Sequence, residues 1–252
     1  MVDKPPPYFY EIFETLPRQG PGDRAATERA LAFLPPLTSR HRILDIGCGS
    51  GAQTLDLARA TDAHIVAVDN HGPFLEILKG KVKQLGLGHR VAPQIGDMAD
   101  LGLADESFDV IWSEGAVFII GFDQALSSWR RLLRPQGHMV ISELCWLRED
   151  PPAEVLDFFA AEGADARDLA ARRAAIAASG YRLVADFVLP TVGWWENFYV
   201  PLAASTARFK AGHPGDSEAL ALAARMEHEI DLYRRHGDFY GYGFFVMARQ
   251  GG

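Results

Sequence analysis

Three glycines, Gly47, Gly49 and Gly51, follow an apolar run, Arg42–Ile46, that carries one acidic residue, Asp45. Glycine at such spacing serves two needs: a tight turn with backbone angles that cost other residues energy, and a backbone bare enough to approach a bound nucleoside. Cys48 lies inside the same turn. Further along, each apolar run again ends in polar residues that could bind such a ligand. Ala67-Val68-Asp69-Asn70 offers a carboxylate able to accept both hydroxyls of a ribose. Gly96-Asp97-Met98 offers an acceptor for the adenine amine beside a thioether that can lie on its ring, and Trp112-Ser113-Glu114-Gly115 ends the fourth run. In an open α/β sheet all of these fall on one edge, where ligands bind.

The turn alone is ambiguous. Gly47, Gly49 and Ala52 satisfy the G-x-G-x-x-G/A pattern of dinucleotide enzymes, and Asp69 lies about twenty residues on, as that pattern asks. Asp45 and the added Gly51 favour S-adenosylmethionine, because a carboxylate ahead of the turn is unfavourable beside a pyrophosphate but can serve an ammonium group, directly or through water. An NAD(P)-dependent reductase and a cofactor-binding protein without transfer activity stand as the alternatives.

Methyl transfer from a sulfonium is an in-line displacement that needs positioning and exclusion of water rather than a protein nucleophile. Where the acceptor must lose a proton, Glu114 and Glu143 are the candidate bases. For the acceptor, the candidates are Tyr10 in an aromatic patch near the amino terminus and Trp194, Trp195 and Tyr199 in the run Trp194–Tyr199. Tyr240 and Tyr242 are further options that strand packing explains equally well. The histidines form no ligand spacing, so no metal is assigned. A hydrolase lacks its G-x-S-x-G turn, since Gly49-Ser50-Gly51 has the wrong spacing.

The elements that must hold these residues alternate. Strands are predicted over Arg42–Ile46, His64–Val68, Arg90–Ile95, Phe108–Ser113 and His138–Leu144, with helices over Ala52–Ala60, Pro73–Leu85 and Asp123–Leu133 between them. This is the pattern of βαβ units in a parallel sheet. A helix over Asp23–Leu34 precedes them; a helix over Asp165–Ala178 and strands over Tyr181–Leu189 and Tyr242–Ala248 follow. The chain thus divides into an arm and helix (1–40), a core (41–189), a helical cap insertion (190–240) and a final core strand (241–252). The first 22 residues, broken by Pro5–Pro7, Pro17 and Gly20-Pro21-Gly22, read as an arm that folds over the cofactor as a lid.

The 25 Lys and Arg against 33 Asp and Glu give a net charge of −8, which sets nucleic acid aside as a partner. No run approaches the roughly 18 apolar residues that span a bilayer, so no membrane partner and a cytoplasmic location are expected. The two cysteines, Cys48 and Cys145, are expected to be reduced thiols.

Together, Leu44-Asp45-Ile-Gly47-Cys-Gly49-Ser-Gly51, Val68-Asp69, Gly96-Asp97-Met98, Phe108–Glu114 and Leu133-Arg-Pro135-Gln-Gly137 resemble the class I S-adenosylmethionine-dependent methyltransferases. The nearest branch is that of small-molecule enzymes, including the quinone-biosynthesis C-methyltransferases. The resemblance is firm over about residues 41–145. It implies an α/β, Rossmann-like, seven-stranded and mostly parallel sheet with helices on both faces, the last strand antiparallel between the fifth and sixth. It also implies roles: Gly47, Gly49 and Gly51 along the methionine and ribose portion, Asp69 on the ribose, Asp97 and Met98 on the adenine, Ser113 near the sulfonium, and Asp45 near the amino group. The expected cofactor is S-adenosylmethionine, leaving as S-adenosylhomocysteine, with a small-molecule substrate and a monomer or homodimer. Gln136 departs from the family's L-K/R-P-G-G, a change in a turn away from the cofactor.

Overall fold

The computed structural model describes residues 8–251; the start of the arm, with Pro5–Pro7, lies outside the described residues. The sheet is built from β1 (Arg42–Ile46), β2 (His64–Asp69), β3 (Val91–Ile95), β4 (Phe108–Glu114), β5 (Leu133–Trp146), β6 (Arg167–Asp168), β7 (Tyr181–Val188) and β8 (Tyr240–Arg249). Its order is β3-β2-β1-β4-β5-β8-β7, with the two-residue β6 attached to the end of β5. The first five strands are parallel, and β8 runs antiparallel between β5 and β7. The seven-stranded expectation therefore holds along this path, and β6 is an extra pairing too short for a periodic pattern to reveal.

Helices α1 (Phe9–Phe13) and α2 (Arg24–Leu31) precede the sheet. Helices α3 (Ala52–Ala60), α4 (Gly72–Gln84) and α5 (Phe122–Trp129) connect its first half, and α6 (Ala153–Ala161) and α7 (Leu169–Ala178) lead into β7. Between β7 and β8, a short α8 (Thr191–Trp194) passes through a π-helical turn, Trp195–Tyr199, into α9 (Val200–Gly212) and α10 (Ser217–His236). No helix is long and apolar enough to cross a membrane among the described residues.

Alternation along the strands splits the core in two. Ile43, Trp112, Val140, Phe244 and Val246 face one side, packed with α3, α4, the arm residues Ile12, Phe13 and Leu16, and the helices that follow β7. Leu44, Ile111, Met139, Ile141, Phe245 and Met247 face the other, packed with α5 and Ile176 of α7. The arm and the segment between β7 and β8 thus share one hydrophobic cluster with the strand faces beneath them.

Several predicted boundaries are corrected. The helix expected over Asp123–Leu133 ends at Trp129 and tightens into a 3-10 turn over Arg130–Leu132. Leu133–Gly137, expected as a turn before the fifth strand, is a looped-out bulge at the head of β5, where pairing with β4 jumps from Phe108↔Leu133 to Val110↔His138. Gln136 within it holds a left-handed backbone, φ +65°. The helix expected from Asp165 begins at Leu169, where Asp168 caps it by accepting the Ala171 N–H at 2.6 Å. The helix predicted from Asp23 stops at Leu31, short of Pro35. Helix α6 was not anticipated, because the prolines before it masked a short amphipathic segment that starts just after Pro152.

Candidate functional site

Gly47, Gly49 and Gly51 all adopt positive φ, +71°, +52° and +86°. Space forbids side chains there as firmly as conformation does. A Cβ on Gly47 would stand 2.4 Å from Cβ of Ala116, and one on Gly51 would stand 2.2 Å from Cδ1 of Leu78. At Gly49 it would meet Oε1 of Gln19 at 2.5 Å, so the arm itself lies on the turn. The Ser50 N–H donates to that Gln19 oxygen at 2.7 Å, and the Gln19 amide donates to the carbonyls of Phe13 and Leu16. Cys48 points inward, its buried thiol pushed up by desolvation, so only its backbone borders the turn.

Asp69, twenty residues later in sequence, meets this turn in space. Its carboxylate accepts the Gly49 N–H at 2.8 Å and the His71 N–H at 2.9 Å, and burial raises its pKa. A carboxylate has about four lone-pair directions, so two acceptor positions remain for a diol. Asn70 beside it is exposed. Met98 reaches back toward the turn, its Cε 3.4 Å from where a Gly47 Cβ would stand, and its carbonyl is held by the Trp129 indole N–H at 2.9 Å. Gly96 keeps Val68 in place, since a Cβ there would lie 2.8 Å from Val68 Cγ1. Asp97 is exposed and caps its own loop by accepting the Ala99 N–H at 2.9 Å.

Asp45 is fully buried. Thr54 donates to it at 2.5 Å and Gln53 at 3.2 Å, so it braces the first turn of α3 against β1, and desolvation lifts its pKa to about 7. Ser113 is also fully buried, its hydroxyl donating to the Ile46 carbonyl at 2.8 Å, which ties β4 to the strand carrying the glycine turn.

The two candidate bases differ sharply. Glu114 is held by Arg18 at 2.8 Å, Thr27 at 2.7 Å and the Trp112 indole at 2.9 Å. Glu143 uses one oxygen on the Leu144 N–H at 2.7 Å, and its other oxygen is buried without a partner. Burial raises its pKa to about 7.

The arm closes over this edge from end to end. Tyr10 stacks on His71 with ring centroids 3.6 Å apart, and His71 contacts Glu14 at 2.7 Å. The Gly22 N–H donates to the Gly193 carbonyl at 3.0 Å, and Asn197 donates back to the Gly22 carbonyl. Thr15 and Ser205 share a 2.7 Å hydrogen bond, and Tyr8 donates to Asp216 at 2.9 Å. Arg18, Gln19, Glu14 and Thr27 were missed in the sequence because their partners lie from 31 to 96 residues away and no local period marks them.

Trp194 and Tyr199 are buried, whereas Trp195 is half-buried under the Arg234 guanidinium. Trp194 stacks on Tyr233 and meets Tyr242 and Tyr240 edge-on, while the Tyr199 hydroxyl donates to Glu229 at 3.2 Å. Tyr233 and Glu229 were also missed; their spacing on α10 could have marked an inward face.

Residues 43–137 match the family model described as a methyltransferase domain. Over these residues the chain is similar to a methyltransferase domain, in keeping with the class I S-adenosylmethionine-dependent resemblance. Methyltransferase GfsG of Streptomyces halstedii is 34% identical over 109 residues, 43% of this chain; the chain spans 39% of that relative's length. Among solved structures, a SAM-dependent methyltransferase from Geobacter sulfurreducens in complex with S-adenosyl-L-homocysteine superposes with a TM-score of 0.82 at 24% identity, covering 99% of this chain and 100% of that one. YjhP from E. coli gives a TM-score of 0.78 at 25% identity, covering 96% of this chain and 100% of that one. The glycine turn and the Asp69 carboxylate are the parts whose chemistry suits S-adenosylmethionine: bare backbone and acceptors for hydroxyls at the end of β2, with the one ammonium at the turn, Lys81, bonded to the Ser50 carbonyl at 2.9 Å.

Proposed function

We propose that the chain transfers the methyl group of S-adenosylmethionine to a small-molecule acceptor. The reading rests on one observation above the rest: the glycine turn and the acidic end of β2 are joined by the Gly49–Asp69 hydrogen bond of 2.8 Å. A single surface thus offers both bare backbone and a diol acceptor. When bound, the cofactor supplies an electrophilic methyl carried on a sulfonium; the remaining work is done by the chain.

In this reading Gly47, Gly49, Gly51 and the Cys48 backbone line the methionine and ribose portion. Asp69 and Asn70 take the ribose, and Gly96, Asp97 and Met98 the adenine. Asp45 and Ser113 act from behind, holding α3 and β4 in register with the turn. Glu114 anchors the arm through Arg18, while Glu143 has the oxygen free to take a proton. The arm shuts the edge from water, which strengthens every electrostatic contact inside it. Tyr10, Trp194, Trp195 and Tyr199 belong to the acceptor side. The proposed partners are limited to small molecules, and the cytoplasm is the proposed setting, which the free, buried thiols Cys48 and Cys145 suit.

Calorimetry decides the first step. S-adenosylhomocysteine should bind, NADH should not, and saturation by NADH alone would overturn the proposal. Transfer of labelled methyl from the cofactor into a small-molecule extract then tests for an enzyme.

A further inference from the structure

The aromatic cluster beside the glycine turn contains polar atoms that nothing in the protein satisfies. The Trp194 indole N–H and the Tyr240 hydroxyl are both buried and have no hydrogen-bond partner, although the residues are 4% and 1% exposed. Leaving such groups unpaired costs about 1–3 kcal/mol each, so their retention points to a partner that arrives with a ligand. Trp194 Nε1 can only donate.

A continuous line of contacts runs from the glycine turn to these atoms. A Gly47 Cβ would strike Ala116 at 2.4 Å; a Cβ on Gly115, the next residue back, would lie 2.9 Å from the Tyr242 ring; and that ring sits 4.7 Å from Trp194. Trp194 and Tyr240 are themselves 6.1 Å apart, edge to face. The cluster therefore begins where the methyl donor of the proposed function ends.

Its electrostatics narrow the occupant. Glu143 and Glu229 both lie near enough to Tyr242 for their charges to raise its phenol further, after burial. Glu229 keeps an edge at the surface, yet desolvation lifts its carboxyl, like that of Glu143, to about 7. Among the described residues no Lys or Arg donates a hydrogen bond to Trp194, Tyr199, Tyr240 or Tyr242. An anionic acceptor would meet two carboxyls, while Arg235, whose charge reaches Tyr240, is already held by Asp231 and Glu154; an ammonium would leave the Trp194 N–H unanswered. A hydroxyl meets both demands: its oxygen accepts from Trp194 and Tyr240, and its hydrogen donates to a carboxylate.

Building on the proposed methyltransferase function, we infer that the acceptor is a flat, uncharged hydroxyaromatic molecule, its ring against the Trp194–Tyr242 wall and its hydroxyl oxygen accepting from Trp194 Nε1 and the Tyr240 hydroxyl.

The test is a calorimetric panel on the full chain saturated with S-adenosylhomocysteine, using 2-naphthol, naphthalene, 2-naphthoate and 2-naphthylmethylammonium. Failure of S-adenosylhomocysteine to bind sinks the methyltransferase reading itself, before any naphthyl probe is added. With the cofactor product bound, 2-naphthol should bind at least about tenfold tighter than the other three. Tyr240→Phe should weaken 2-naphthol about fivefold to tenfold, the worth of one net hydrogen bond, with naphthalene affinity unchanged; Trp194→Phe, which also trims the wall, should weaken both, and 2-naphthol about fivefold more than naphthalene. Equal binding of naphthol and naphthalene by the unaltered chain, or tighter binding of the ammonium or the carboxylate, overturns the inference whether or not the variants fold.

Discussion

The proposed donor side of the site and its proposed acceptor side are built on different principles. The donor side is assembled from turns that directly follow β1, β2 and β3, and its key constraints are backbone ones: positive φ at Gly47, Gly49 and Gly51, and close packing that excludes a Cβ. The proposed acceptor side is assembled from the arm, the π-helical turn and β8, which come from opposite ends of the chain and meet through side chains and isolated backbone bonds such as Gly22 to Gly193. Local rules therefore dictate one half, and tertiary contacts the other. This predicts that the donor side tolerates no small substitution, whereas the acceptor side can change by single side chains while the sheet stays intact.

The sharpest way to break this contrast is Gly47→Ala. A left-handed alanine costs about 1–2 kcal/mol, and its Cβ would also collide with Ala116. S-adenosylhomocysteine affinity should fall about a hundredfold by calorimetry; a near-normal affinity would remove backbone constraint as the basis of the donor side.

Arg18→Met asks whether the arm is held by charge. It leaves the Glu114 side chain, 1% exposed, buried without its cation. Stability should drop by about 2–3 kcal/mol in urea unfolding, below the usual cost of breaking a buried pair because Thr27 and Trp112 still donate to the carboxylate. Glu114→Gln, which keeps an acceptor for both, should cost less.

A pH series separates the bracing of α3 from the rest. The Asp45 carboxyl titrates near 7 in the fold, because burial disfavours its charge, and near 4 when unfolded. The fold then holds a proton the unfolded chain has released. The stability this adds is complete below about pH 4 and is lost as pH rises to about 7. Asp45 alone should account for about 2 kcal/mol between pH 5 and pH 7. Glu143 and Glu229 shift in the same direction, so Asp45→Asn should flatten the fall of the melting temperature over that interval without abolishing it.

The smallest effect belongs to Gln136→Gly, at φ +65°. Relief of the left-handed strain, offset by the greater freedom of glycine in the unfolded chain, should stabilise by about 0.5–1 kcal/mol. Cofactor affinity should stay the same, since the bulge lies at the opposite end of β5 from the site.

The same contrast explains what could be read from sequence. The predicted limits of β1 and α3 match the structure, and β2 and β4 differ from prediction by one residue each. These segments combine apolar runs with glycine or acidic punctuation, and the signal is local. The insertion of β8 between β5 and β7 came from family resemblance, because no periodicity in Tyr240–Arg249 says which strands it joins. Asp69 was legible as a carboxylate at a strand end; its bond to Gly49 was not. Arg18 reads as an unremarkable arginine in a proline-rich stretch until the fold brings it to Glu114. Tyr240 and Tyr242 looked like ordinary strand tyrosines, and only the partnerless hydroxyl of Tyr240 and the contact between Tyr242 and Gly115 set them apart.

The two jaws of the acceptor side differ in stiffness. Tyr240 and Tyr242 stand on the stretch of β8 that pairs with Leu144 and Trp146 of β5; the ladder to β7 starts at Gly243, with the Leu189 N–H donating to the Tyr242 carbonyl at 2.8 Å just before it. Trp194 and Tyr199 stand on a four-residue helix and an irregular turn tied to the arm by Gly22 and Asn197. A strand laddered into the sheet along an unbroken run resists opening, while short helices and loops open locally. In the proposed site the tyrosine wall is accordingly the anvil: it would fix how far an acceptor sits from the donor, and any widening that lets molecules in or out would fall to the tryptophan side.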